Sequence, residues 1–167
     1  MTTSQQQLSR VYYGLSLCAI AAYIARHFAA GFALPVPWPD ESSFLWQAIG
    51  VQRTWSLFSP ELNLVREIMW MPPAYMWCIG LLYDIVGASL EAARTFSLAC
   101  MIGAFAFLAA TLRRHPYPLL SILALGAVFY SAPLVVTGNV ARMDSLVLLF
   151  GAAAMYALIG STTLRDY

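Results

Sequence analysis

The sequence predicts an all-α, polytopic membrane helix bundle with four transmembrane helices and two interfacial helices in the first outer loop. Three observations lead there. Of 167 residues, 60% are hydrophobic and 10% charged, whereas soluble domains carry about 25% charged residues. Four apolar runs approach the roughly 20 residues that a helix needs to cross the hydrocarbon core. The placement of the charges between these runs fits one membrane topology better than its alternative. A net charge of +1 without a basic stripe excludes a nucleic-acid footprint, and no nucleic-acid partner is expected.

The first predicted span covers about 8–32, interrupted by Arg26 and His27 near its far end. Residues Met1 to Ser9 are polar and uncharged and no small-residue cleavage site follows, so the run reads as a retained span and not as a signal peptide. The second span is expected over 92–112, the third over 119–136 and the fourth over 145–164. A further apolar stretch, Ile68 to Tyr83, contains Pro72 and Pro73. Proline is favourable at a helix start and costly inside one, so a helix is predicted over about 72–86, beginning at the proline pair.

Charge decides whether that helix spans. If it does not, and the amino terminus is inside, Arg10, Arg113, Arg114 and Arg165 face the cytoplasm. Asp40, Glu41, Glu61, Glu67, Asp84, Glu91 and Asp144 then face outward, as the positive-inside rule asks. Residues 33–91 become an outer loop that hugs the membrane. All five tryptophans lie in it, as suits a ring that prefers the membrane–water interface. Ser42 or Ser43 is placed to cap a short helix over about 42–53, whose Phe44, Leu45, Ala48 and Ile49 share a face. Cys18, Cys78 and Cys100 show no paired spacing and read as packing residues.

Three short motifs carry candidate chemistry. Pro39-Asp40-Glu41 follows the first span directly. A carboxylate at the edge of low dielectric can act as a general base or hold a divalent cation; Asp40 equally reads as a helix cap, with Glu41 favouring the first-turn dipole. Arg142-Met143-Asp144 sits in the outer loop before the fourth span. Arg142 can bind a phosphate bidentately or snorkel at the interface, and Asp144 again reads as a cap, or as a carboxylate that meets Asp40 from a different chain segment. Met71-Pro72-Pro73-Ala74-Tyr75 starts a helix or forms a wall beside a lipid substrate, and Arg66 precedes it. His27 and His115 each stand alone in sequence.

Taken in order, these pieces resemble the amino-terminal module of the GT-C glycosyltransferase superfamily, in its protein mannosyltransferase and lipid A aminoarabinose transferase branch. The resemblance covers about Leu15 to Leu158 and rests on Pro39-Asp40-Glu41, Pro72-Pro73-Ala74-Tyr75, Ala93-Arg94, Arg113-Arg114 and Arg142-Met143-Asp144. It implies transfer of a sugar from a polyprenyl-phosphate donor to an acceptor on the outer face of a membrane, the periplasmic side of the inner membrane in a bacterium. By that resemblance Asp40 is the general base, and Asp144, with Glu41 beside Asp40, completes the catalytic set. Asp40 and Asp144 are the candidate ligands of a divalent metal. Arg142, Arg66, Pro72, Pro73 and Tyr75 are the candidate substrate-binding residues. Met71 departs from the pattern, standing where several relatives carry lysine or histidine. Family members continue through many more helices, so the chain is expected to be the amino-terminal part of a longer transferase, or to need additional helices or a partner subunit. The rival expectation is a non-catalytic four-span accessory protein that associates through small residues such as Gly103, Ala104, Gly151 and Ala152.

Overall fold

The computed structural model describes residues 3–31, 39–57 and 73–163. Among them the chain forms seven helices and no strand: α1 (Thr3–Ala30), α2 (Pro39–Thr54), α3 (Ala74–Val86), α4 (Leu90–Leu112), α5 (Pro118–Phe129), α6 (Ala132–Asn139) and α7 (Asp144–Thr163).

Local chemistry sets several of these boundaries. Gly87, with φ of +85°, ends α3 in a conformation that side chains other than glycine rarely adopt. Two residues later Ser89 caps α4, its Oγ accepting the Ala92 N–H at 3.0 Å. Pro118 opens α5 within its first turn, where no amide hydrogen is needed. α2 begins at Pro39, earlier than expected, so Asp40 and Glu41 lie in its first turn and neither Ser42 nor Ser43 caps it. Likewise Asp144 is the first residue of α7 and does not precede it.

The predicted third span, 119–136, is not one continuous helix in the structure. It is two helices, α5 and α6, bent by 64° at Tyr130–Ser131. Pro133 supplies the cause. In a continuous helix its ring would strike the Phe129 carbonyl, and it has no N–H to offer that oxygen. The chain restarts instead, with Pro133 in the first turn of α6.

By length and apolarity α1 and α4 can each cross a membrane, and the bent α5–α6 pair makes a third crossing if counted as one span. α3 and, over Asp144–Gly160, α7 are shorter apolar helices by the same measure. Large apolar side chains face outward around the bundle, including Ile85 (82% exposed), Leu120 (68%) and Leu17 (66%). Such a belt is what a bilayer covers.

α4 is the hub and packs against α1, α3, α5, α6 and most extensively α7. Side-chain pairs fix the directions. Leu149 of α7 fills the space beside Gly103 of α4, and Tyr156 meets Phe107 further along, so α4 and α7 run parallel. α1 runs the opposite way. Its Tyr12 hydroxyl donates to Ala109 O near the end of α4 at 2.5 Å, and its Tyr23 hydroxyl donates to Leu134 O in α6 at 2.7 Å. α2 and α3 lie together against the start of α4. Gly80 lets them approach closely: a Cβ there would stand 2.6 Å from Val51 Cγ1 and 2.9 Å from Ala48 O.

The bundle therefore has two ends. At one lie the starts of α2, α4 and α7, the end of α6, and every described acidic residue: Asp40, Glu41, Asp84, Glu91 and Asp144. At the other lie the start of α1 and the α4–α5 turn, with Arg10, Arg113 and Arg114.

Candidate functional site

The acidic end is organised around one buried ion pair. Glu41, in the first turn of α2, is 1% exposed, and Arg94, one turn into α4, is 0% exposed. The guanidinium engages the carboxylate bidentately, Nε to Oε1 at 3.0 Å and Nη2 to Oε2 at 2.8 Å. Glu41 Oε1 also accepts the backbone N–H of Ala141 at 2.6 Å. A buried charge is tolerated only when it is paired and its remaining hydrogen-bonding capacity is used. Glu41 meets that condition through a partner 53 residues away and another 100 residues away.

The consequence is spatial. The Pro39-Asp40-Glu41 turn, Ala93-Arg94 and the segment leading into Arg142-Met143-Asp144 are tied to one point. Asp40 adjoins Glu41 at the start of α2 and is half-buried. Arg142 follows Ala141, its N–H bonded to Val140 O at 3.0 Å in a tight turn. Its Nε meets Asp144 Oδ2 at 2.9 Å, with side chains 24% and 46% exposed. Ser145 is fully buried and its Oγ donates to Arg142 O at 2.9 Å, which fixes the same turn from below. Both oxygens of Glu41 are thus engaged inside the protein, while Asp40, Arg142 and Asp144 retain a face toward solvent.

Tyr75 does not form an outer wall. It is 1% exposed, its hydroxyl shares a 2.9 Å hydrogen bond with Ser97 Oγ, and its ring packs edge-on against Phe44 and Phe96. Burial pushes its phenol well above the usual range, so it stays protonated. Pro73 is exposed at the cap of α3. Arg66 and Pro72 lie outside the described residues, as do Glu61, Glu67 and Met71.

Two further polar groups at this end went unassigned in the sequence. His27, near the end of α1, is buried, and its Nδ1 lies 2.7 Å from Asn139 Oδ1 at the end of α6. A carboxamide oxygen only accepts, so this contact puts the imidazole proton on Nδ1. The one available signal was that each residue lies at the same end of an apolar segment. Arg94 carried a stronger signal: an arginine one turn inside an apolar helix points to an internal partner, a carboxylate or backbone carbonyls.

Among the described residues no three His, Cys, Asp or Glu side chains group as a metal site would. Asp40 and Asp144 are two carboxylates, and a hard cation held by them would take its remaining oxygens from water or a substrate phosphate. No family model matches the chain, and no curated protein or solved structure matches it significantly.

Proposed function

We propose that the chain is an amino-terminal glycosyltransferase module of GT-C type, acting with further helices or a partner subunit on a polyprenyl-phosphate sugar at the acidic end of the bundle. The supporting observation is the junction of Glu41, Arg94 and the Ala141 amide, which draws three motifs distant in sequence to one place. In this reading Glu41 is a positioning residue. It holds the α2 start against the turn before α7, so that Asp40 can take a proton from the acceptor and Arg142 can meet the donor phosphate. Asp144 aims the Arg142 guanidinium from its own helix start.

The same reading takes α1, α4, α5–α6 and α7 as four crossings. The twenty residues of α7 rise about 30 Å, and α7 runs beside α4. The reading takes the end with Arg10, Arg113 and Arg114 as cytoplasmic and the end with the described carboxylates, where Arg26, Arg53, Arg94 and Arg142 also lie, as the outer one. Gly103, Ala104 and Ala152 are used within the chain, Gly103 against Leu149 and the two alanines in the core. They lend no separate weight to an accessory role.

The test is retention of a radiolabelled undecaprenyl-phosphate sugar by the purified chain in detergent. Retention well above that of undecaprenol, weakened by Arg142→Gln, is expected. In membranes of a producing strain, Asp40→Asn is expected to remove sugar transfer while the protein remains folded and inserted. Equal retention of undecaprenol and the phosphate sugar, or full transfer by Asp40→Asn, overturns the assignment.

A further inference from the structure

The opposite end of the bundle holds a feature that the proposed site does not use. A groove of about 620 Å³ runs between α1, α4 and α7, within the volume range of small-molecule sites. Phe105 and Ala109 form its buried floor, and the exposed alanines Ala106 and Ala110 keep it open. The polar groups along it are satisfied internally, Tyr12 by Ala109 O and Ser16 by Tyr12 O at 2.9 Å. What remains facing the groove is mostly apolar, as suits a hydrocarbon chain.

Its mouth is cationic. Arg113 and Arg114 both line it. The Arg113 guanidinium stacks over the Tyr13 ring, 5.0 Å from the centroid, and its Nη1 donates to the Tyr13 hydroxyl, which fixes the charge in place. A second hollow of about 300 Å³ adjoins on the other side of Arg113 and Tyr12, where Gln5 and Ser9 add polar groups. A mostly apolar furrow, a fixed cation and a hollow of mixed lining thus follow one another. No described acidic residue lies at this end.

We propose that the groove binds an anionic glycerophospholipid, with one acyl chain between α1, α4 and α7 and the phosphate head at Arg113 and Arg114. Charge complementarity favours a lipid over a further helix, because an apolar helix offers no anion to the two arginines. The site lies at the end of α4 remote from Glu41 and Arg94, so its occupancy does not depend on the glycosyltransferase reading.

The test is native mass spectrometry of the purified full chain in detergent with dioleoylphosphatidylglycerol or dioleoylphosphatidylcholine. Tighter binding of the anionic lipid is expected, reduced roughly tenfold by the Arg113→Gln/Arg114→Gln pair. Ala110→Phe, which fills the groove at an exposed position, is expected to remove binding with the circular dichroism spectrum unchanged. Glycerol 1-phosphate should not compete. A photoreactive leucine analogue at Leu17 is expected to give a lipid adduct. Equal binding of the two lipids, binding unaffected by both the arginine pair and Ala110→Phe, or a Leu17 adduct to a second copy of the chain overturns the proposal.

Discussion

The two ends of α4 treat arginine in opposite ways. Arg94 and Arg113 are 19 residues apart, roughly 28 Å along the helix, close to the thickness of a hydrocarbon core. At the acidic end Arg94 is fully desolvated and spends its charge on one internal carboxylate. At the basic end Arg113 is exposed, lies over a tyrosine ring and borders two hollows. The first arginine defines where α2, α4 and the turn before α7 meet. The second leaves its field available to something outside the chain. A buried pair contributes little net stability against well-packed apolar residues, but breaking it leaves an uncompensated charge inside. The acidic end is therefore the fixed end, and its exposed groups inherit their positions from it.

The largest expected effect follows from breaking that fixture. Arg94→Met leaves the Glu41 carboxylate buried without its cation and is expected to cost about 3–5 kcal/mol, read as a lowered midpoint in chemical unfolding in detergent. Arg113→Met, on the same helix but exposed, is expected to change stability far less. A similar loss for both substitutions would erase the contrast between the ends. Next comes Gly80→Ala, where the new methyl would meet Val51 and the Ala48 carbonyl. It is expected to cost about 1–3 kcal/mol by forcing α2 from α3. Gly14→Ala in α1, with nothing within 4 Å of the added carbon, is expected instead to gain about 0.5–1 kcal/mol.

Smaller effects sharpen the comparison at the exposed groups of the acidic end. Arg142→Gln breaks a solvent-accessible pair with Asp144, and a stability change below about 1 kcal/mol is expected. A large loss on unfolding would make the pair a structural element and remove it from the proposed site. The smallest effect is alkaline. Burial pushes the Tyr83 phenol up to about 12, above its usual value near 10. A group with a raised folded pKa prefers its protonated form in the fold. Its contribution is complete below pH 10 and is lost as pH rises toward 12. The unfolding midpoint of wild type should begin to fall above pH 10, and Tyr83→Phe should reduce the slope.

Legibility in the sequence followed the range of the interaction. α4 and, apart from their exact starts, α2 and α3 were visible because apolar runs, helical spacing and the Pro72-Pro73 pair are local signals. The break at Tyr130–Ser131 was also local, in Pro133, but an unbroken apolar composition concealed it. Tyr75 shows the opposite error. Its place after the proline pair suggested a wall beside a lipid substrate, yet Phe44, Phe96 and Ser97 enclose it, residues from two other helices. The Glu41–Arg94 and His27–Asn139 contacts join segments 53 and 112 residues apart. No helical period or cap chemistry specifies such partners; only the packing of α4 at the centre of the bundle does.

A double-mutant cycle on the central pair tests most directly whether Glu41 and Arg94 act as one unit that assembles the acidic end. Unfolding free energies of wild type, Glu41→Gln, Arg94→Met and the combined variant are compared in the same detergent. Glutamine can still accept the Ala141 N–H, which leaves that contact common to all four proteins. A coupling of about 2 kcal/mol or more between the two sites is predicted. Additivity of the two substitutions to within about 0.5 kcal/mol would contradict it.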